Sequence, residues 1–226
     1  MHKGMRYFPV FLDLSQKSCL VVGAGPVGQR KISTLAKSSP GRIVVIDPNP
    51  DLEPAGQNLN LVFRAKEFEP EDVQGCDLVF ACTGSPEVNS LVARICQEKN
   101  IWCNVARGPE QGDFILPAVL DRGELLLAVS TCGASPALSA KIKKELGEYY
   151  GPEYAVLTLL LSRVRKYVLS LDLTQSQNQD IFERLLQEET LNILARQDKE
   201  MLHTLLQRIL PYELHTYLPG MTDDLF

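Results

Sequence analysis

A glycine-rich turn near the N-terminus limits the folds that this chain can adopt. The segment "VVGAGPVGQR" spans 21–30 and places Gly23, Gly25 and Gly28 in a GxGxxG pattern. The run "SCLVVG" before it is short, apolar and rich in β-branched residues, whereas "QRKISTLAKS" after it has helical spacing of its apolar residues. The glycines therefore lie at a predicted strand-to-helix turn. Such a turn either binds a dinucleotide or only joins the two elements.

A second apolar run, "RIVVID" at 42–47, favours the dinucleotide interpretation. It ends in Asp47, which follows Gly28 by 19 residues. This is close to the spacing of about 20 for the acidic residue that accepts hydrogen bonds from ribose hydroxyls. A carboxylate there repels a 2′-phosphate, and no arginine follows immediately, so the sequence predicts NAD rather than NADP as the cofactor.

Three further apolar runs continue the pattern of an α/β sheet. They lie at 61–68, 76–84 and 101–106. Between the last two, "SPEVNSLVARICQEKN" predicts a helix with Ser85 as its N-cap and Pro86 in its first turn. Thr83, Gly84 and Asn104 then fall at the carboxyl ends of strands, where open α/β sheets bind ligands.

Each glycine of the turn has its own expected role. Gly23 permits the tight turn, Gly25 lets the backbone approach the pyrophosphate, and Gly28 lets the helix pack closely on the strand. The N–H groups at the start of the helix then meet the phosphates. The residues predicted to bind the cofactor are Gly23, Gly25, Pro26, Val27, Gly28, Asp47, Pro48, Thr83, Gly84 and Asn104.

The pattern changes after Asn104. Two apolar runs, 114–120 and 125–130, flank "DRGE" and predict a hairpin rather than another strand–helix unit. These strands either extend a sheet or pair with a second subunit, and their apolar character predicts a homodimer. In the next helix, Ser135 is the expected N-cap and Pro136 the first residue.

Leucine-rich helical spacing over 153–210 predicts a small helical domain, and the tail at 219–226 is expected to be loose. A formal charge of -5 disfavours a nucleic-acid partner. The N-terminus lacks the features of a secretion signal, and no segment indicates a membrane partner, so we expect a cytoplasmic protein. Six scattered cysteines without CxxC pairs favour reduced core thiols. His203 and His215 lack metal-ligand spacing, so no metal site is predicted.

Two long segments carry a family resemblance. They read "FPVFLDLSQKSCLVVGAGPVGQRK" and "CNVARGPEQGDFILPAVLDRGELLLAVSTCGASPALSAKIKKEL". Together they resemble the precorrin-2 dehydrogenase family, which includes the dehydrogenase/ferrochelatase part of siroheme synthase. The resemblance covers roughly residues 5–150, and its specificity comes from the opening "FPVFLDL" and the loop-helix "AVSTCGASPALS" as well as from the glycines.

The resemblance implies an architecture and an activity. It implies α/β architecture, with an N-terminal Rossmann-type parallel sheet at 1–113, a dimerisation and substrate-cleft region at 114–150, and a helical domain at 151–226. The implied reaction is NAD-dependent oxidation of precorrin-2 to sirohydrochlorin by a homodimer, sometimes joined to iron insertion. Ser130, Thr131, Gly133 and Ser135 are the candidate substrate-binding residues. Their hydroxyls either bind carboxylates or only cap and turn the backbone.

One departure from the family pattern bears on catalysis. Arg107 stands where the family commonly carries an aspartate that is proposed to assist dehydrogenation or chelation. Arginine cannot act as a base at neutral pH, although its fixed charge can bind a substrate carboxylate bidentately. Asp113, six residues later, is the second catalytic candidate. With this departure, the sequence does not decide whether the chain also inserts iron. It also leaves an alternative function, that of a non-catalytic module that binds a dinucleotide or a tetrapyrrole.

Overall fold

The structure, a computed structural model, describes residues 7–52, 60–106, 108 and 111–226. The chain divides into two compact units, Met1–Leu116 and Pro117–Phe226. The finer division at 113 and 150 stays a prediction. In the described ranges, no helix is both long and apolar enough to span a membrane.

The first unit contains a five-stranded parallel sheet. Its strands are β1 (Ser18–Val22), β2 (Arg42–Asp47), β3 (Leu61–Ala65), β4 (Leu78–Ala81) and β5 (Trp102–Val105), in the order β3-β2-β1-β4-β5. The expected α/β fold is confirmed. Parallel strands are buried on both faces, which explains why the central ones read as continuous apolar runs. Strands β2 and β3 lie on one side of β1, and β4 and β5 lie on the other. The carboxyl ends of β1 and β4 therefore flank the crevice where such sheets bind ligands.

Two helices cover opposite faces of this sheet. Helix α1 (Pro26–Lys37) packs Ile32 and Leu35 against one face, and α2 (Pro86–Glu98) packs Val92 and Cys96 against the other. Strands β3 and β4 are shorter than the apolar runs that predicted them. Strand β3 ends at Ala65, where the backbone bends at Lys66, and β4 ends at Ala81, before the loop that leads into α2.

The second unit begins with an antiparallel hairpin and continues with helices. The hairpin strands are β6 (Ala118–Arg122) and β7 (Leu125–Val129). The helices are α3 (Pro136–Tyr149), α4 (Glu153–Val168), α5 (Gln175–Leu185), α6 (Glu188–Ala195), α7 (Lys199–Ile209) and α8 (Leu218–Thr222). One apolar cluster joins α4 through α8, which explains the leucine-rich spacing of this part of the sequence.

The expectation of a loose tail is wrong. Leu218 and Met221 in α8 are fully buried, and Leu225 is 7% exposed. Arg163 of α4 donates hydrogen bonds to the carbonyl oxygens of Met221 and Asp223. The tail is therefore part of the helical core, although its composition resembles that of a frayed terminus.

Candidate functional site

The glycine turn after β1 is held between the ends of β2 and β4. Gly23 has φ +96°, and its N–H donates a 2.8 Å hydrogen bond to the carbonyl oxygen of Ile46. A Cβ atom at Gly23 would lie 2.8 Å from the backbone carbon of Cys82 and 2.8 Å from the nitrogen of Thr83. Both the positive φ and this close approach require glycine, because any side chain would meet backbone that cannot move aside.

The other two glycines differ in the space around them. A Cβ atom on Gly28 would overlap the carbonyl oxygen of Gly23, so α1 packs directly on the turn. At Gly25, no described atom outside Gly25 and its two chain neighbours lies within 4 Å of the Cβ position. Gly25 is also the N-cap of α1, with no side-chain cap and no acidic residue in the first turn. The N–H groups of Val27 and Gly28 therefore remain available to an anion at this open position.

The carboxylate of Asp47 lies next to this turn. Its Oδ2 atom accepts a 2.7 Å hydrogen bond from the N–H of Ala24, and its Oδ1 atom accepts a 2.9 Å bond from the N–H of Asn49. A carboxylate has about four lone-pair sites, so each oxygen can accept a further hydrogen bond from a ribose hydroxyl. The structure thus brings together the two features that the sequence separates by 19 residues.

A buried asparagine, which sequence reasoning missed, orders the loop after β4. Asn89 in α2 is 1% exposed and hydrogen-bonds the backbone and hydroxyl of Thr83. Ser85 accepts a 3.2 Å bond from the N–H of Val88 and confirms the predicted N-cap. Gly84 is exposed, with open space at its Cβ position. The signal available in the sequence was a single polar residue on the apolar side of α2, the side that carries Val92 and Cys96.

Asn104 and Asp113 both hydrogen-bond backbone near β5. The Nδ2 atom of Asn104 donates a 2.8 Å bond to the carbonyl oxygen of Phe114, while its buried Oδ1 atom has no partner among the described residues. Asp113 accepts a 2.8 Å bond from the N–H of Cys103 through Oδ2, and its own N–H donates to the carbonyl oxygen of Cys103 at 2.8 Å. Arg107, the other catalytic candidate, lies outside the described residues.

The hydroxyls at 130–135 shape the turn between β7 and α3. Ser130 Oγ accepts from the N–H of Cys132 at 3.0 Å, and Thr131 Oγ1 accepts from the N–H of Ser135 at 2.9 Å. Ser135 caps α3 by accepting from the N–H of Leu138 at 3.2 Å, as predicted. Gly133 has φ +88°, so it takes a conformation that glycine adopts easily. Carboxylate binding by these residues stays a prediction.

Five of the six cysteines lie in the first unit, and four of these are buried. The buried ones are Cys19, Cys82, Cys96 and Cys103. Burial raises the pKa of Cys19 and of Cys82 to about 11, because an apolar environment disfavours the thiolate. The expectation of a core thiol is wrong for Cys132, which is exposed in the turn before α3. The described part of the chain contains no group of three or more His, Cys, Asp or Glu that could hold a metal ion.

Comparison with known proteins identifies relatives of this chain. Residues 10–118 match the sequence model of a family described as putative NAD(P)-binding. Siroheme synthase from Methylobacillus flagellatus is 32% identical over 209 residues, which cover 90% of this chain and 44% of that protein. Siroheme synthase from Thioalkalivibrio sulfidiphilus is 36% identical over 163 residues, which cover 71% of this chain and 33% of that protein.

A solved structure extends the likeness to the whole fold. SirC, a precorrin-2 dehydrogenase, is 25% identical with a TM-score of 0.69, and the match covers 90% of this chain and 98% of that one. The chain spans less than half the length of the two siroheme synthases. Over most of its length the chain is therefore a homologue of siroheme synthases, and it shares the fold of the precorrin-2 dehydrogenase SirC.

Proposed function

We propose that this chain is an NAD-dependent dehydrogenase that oxidises precorrin-2 to sirohydrochlorin in the cytoplasm. NAD supplies the hydride acceptor, and the substrate also releases a proton. Homology to siroheme synthases supports the proposal, as does the similarity to SirC, a precorrin-2 dehydrogenase. The geometry that carries it is the convergence of the open backbone at Gly25, the free start of α1 and the carboxylate of Asp47.

The residues around this convergence fit the parts of a dinucleotide. Gly25 and the N–H groups of Val27 and Gly28 receive the pyrophosphate, because its negative charge complements the positive end of α1. Asp47 accepts hydrogen bonds from ribose hydroxyls. The remaining proposed cofactor contacts come from the turn and from the carboxyl ends of the strands, namely Gly23, Pro26, Pro48, Thr83, Gly84 and Asn104.

The substrate requires positive charge and hydrogen-bond donors, because it carries many carboxylates. Arg107 supplies a fixed positive charge that binds one carboxylate bidentately. The turn at Ser130, Thr131, Gly133 and Ser135 supplies hydroxyl and N–H donors at the start of α3. Asp113 is the remaining candidate for proton transfer. One of its carboxylate oxygens is hydrogen-bonded to the N–H of Cys103.

An anaerobic assay tests the proposal. Purified protein is mixed with precorrin-2 and NAD, and NADH formation is followed together with the absorption spectrum of sirohydrochlorin. The expected result is one NADH for each sirohydrochlorin. Tight binding of NAD or precorrin-2 without turnover would instead identify a binding module. Adding ferrous iron or cobalt to sirohydrochlorin in a separate sample measures chelatase activity independently of the hydride transfer.

We further propose that the chain forms a homodimer through the hairpin in the second unit. The side of the hairpin that carries Val119, Leu126 and Ala128 is exposed, with the single charge of Asp121 opposite Leu126 near the turn, whereas Leu120 is buried. An exposed apolar face on a two-stranded sheet is stabilised when a second copy covers it. Both strands also have an unpaired edge within this two-stranded sheet.

A further inference from the structure

A buried amide in α2 holds the loop after β4 in one position. We propose that Asn89 is a positioning residue for the dinucleotide, because it fixes the backbone of Thr83 beside the glycine turn. This inference rests on the proposed function and deepens it, since it names a residue outside the predicted contact set that sets the shape of the cofactor site.

The side chain of Asn89 makes three hydrogen bonds within the described residues, and all three are to Thr83. Its Oδ1 atom accepts from the N–H of Thr83 at 3.1 Å and from the Thr83 hydroxyl at 2.8 Å. Its Nδ2 atom donates to the carbonyl oxygen of Thr83 at 3.1 Å. Asn89 is 1% exposed, so bulk water does not compete for these bonds in the folded protein. Truncation of Asn89 would therefore leave the peptide groups on both sides of Thr83 without their partners.

The position of Thr83 matters because the loop touches the glycine turn. The backbone nitrogen of Thr83 lies 2.8 Å from the Cβ position of Gly23, and the N–H of Cys82 donates a 2.8 Å bond to the carbonyl oxygen of Val22. A shift of Thr83 toward Gly23 would clash with backbone, and a shift away would open a gap beside the turn. Asn89 thus acts on the turn through Thr83 without touching the turn itself.

The loop presents backbone, rather than the Thr83 side chain, to a ligand. The single hydroxyl hydrogen of Thr83 has two acceptors within reach, Asn89 Oδ1 at 2.8 Å and the Ser85 carbonyl oxygen at 3.0 Å. The same hydroxyl oxygen accepts from the N–H of Ser85 at 3.2 Å. Gly84 beside it is exposed, and its Cβ position is open. This loop follows β4 at the carboxyl edge of the sheet, where open α/β sheets bind ligands.

The test compares Asn89→Ala with Val92→Ala in the full chain. Val92 lies one turn further along α2 and is fully buried, but its side chain makes no hydrogen bonds. Both substitutions remove buried atoms from the same helix, so both lower the melting temperature. NADH binding is measured by fluorescence titration, and amide hydrogen exchange at 83–85 is measured without ligand. We expect Asn89→Ala to weaken NADH binding by about tenfold, the equivalent of one or two lost hydrogen bonds, and to speed exchange at 83–85.

The control and a second variant keep the inference open to refutation. Val92→Ala is expected to keep the NADH affinity and the exchange rates at 83–85 of the unaltered protein. If Asn89→Ala does not fold, Asn89→Asp replaces it. The aspartate keeps the acceptor for the N–H of Thr83 but loses the donor to its carbonyl oxygen, so we expect a loss of about threefold.

Unchanged NADH affinity in the folded Asn89 variant, or an equal loss in Val92→Ala, would overturn the positioning role. Either result leaves the proposed function standing. If the unaltered protein binds no NADH, the proposed function fails, and this inference fails with it.

Discussion

The carbonyl oxygen of Gly23 occupies the space that a side chain on Gly28 would need. Helix α1 therefore begins in direct contact with the turn that precedes it. Gly25, between the two, has open space on its side-chain position instead. The three glycines thus restrict substitution for different reasons. Substitution of Gly28 is expected to affect folding, whereas substitution of Gly25 is expected to affect cofactor binding.

Replacement of Gly25 by valine is expected to impair cofactor binding more than folding. Its φ of -62° and ψ of -174° are open to any L-residue, and no described atom opposes the new side chain. The valine would occupy the space that the pyrophosphate approaches, so we expect at least a tenfold loss of NADH affinity with a small change in melting temperature. Gly28→Val, the matched variant, is expected not to fold stably. An unchanged NADH titration in folded Gly25→Val would refute the assigned role.

Replacement of Asp47 is expected to weaken the preference for NAD over NADP. Asp47→Asn keeps an oxygen that can accept from the N–H of Ala24, but it removes the charge that repels a 2′-phosphate. We expect NAD affinity to fall by about tenfold, because a hydrogen bond to a charged group contributes about 1.5–3 kcal/mol, and NADP affinity to rise. Both are measured by titration with the reduced dinucleotides. Equal affinity for the two cofactors in the unaltered protein would contradict the assignment.

Local chemistry explains which parts of the fold could be predicted from the sequence. Ser85 and Ser135 each precede a proline and cap a helix by accepting from an N–H three residues later, so the whole signal lies within one turn. The glycine turn and Asp47 follow a spacing that the βαβ geometry dictates.

The parts that were missed depend on packing between distant elements. Asn89 meets Thr83 only after α2 folds back against β4. Met221 is buried because α4 and α7 contact α8, although three polar residues follow it in the sequence. Neither outcome follows from local composition, because burial is set by residues far away in the chain.

Replacement of Arg107 by alanine is expected to raise the KM for precorrin-2. A charge-assisted bond to a substrate carboxylate contributes about 1–3 kcal/mol, which corresponds to roughly a 5- to 150-fold rise, while NAD affinity stays nearly unchanged. Lysine is expected to restore part of the loss, since it keeps the charge but not the bidentate geometry. Arg107→Asp distinguishes the alternatives. Turnover that appears only in Arg107→Asp would favour the alternative in which the unaltered chain is a binding module. Reduced turnover in this variant would support a role of Arg107 in substrate binding.

The proposed homodimer is expected to depend on the outer face of the hairpin. Leu126→Lys places a charge on this face and is expected to give monomers in sedimentation velocity runs. Leu169→Lys at the end of α4 is the matched control, because Leu169 is also an exposed leucine but lies outside the hairpin. A monomeric unaltered protein well above micromolar concentration would contradict the prediction.

The buried thiol of Cys82 is expected to make stability depend on alkaline pH. Its pKa is raised from 9.0 to about 11 by burial, partly offset by the nearby charge of Lys31. The folded protein therefore holds this proton more tightly than the unfolded chain. Below pH 9 the thiol makes its full contribution to the free energy of unfolding. This contribution falls by about 2–3 kcal/mol as the pH rises toward 11.

Urea unfolding of the unaltered protein and of Cys82→Ala at pH 8 and pH 11 measures this contribution. We expect the difference in unfolding free energy between the two proteins to shrink at the higher pH. A constant difference would show that the thiol does not titrate on unfolding in this range. Lys31 opposes this effect, because burial lowers its pKa, but it is present in both proteins and so contributes to both unfolding free energies.

The two hydrogen bonds between Asp113 and Cys103 have a consequence for the solubility of the first unit. They satisfy the N–H and the carbonyl oxygen of Cys103 on the outermost strand, as a sixth strand would. A bare strand edge recruits strands from other molecules and starts aggregation. The segment at 111–113 therefore protects the edge of β5 from pairing with strands of other molecules. A chain that lost this segment would be expected to self-associate through β5 rather than through the hairpin.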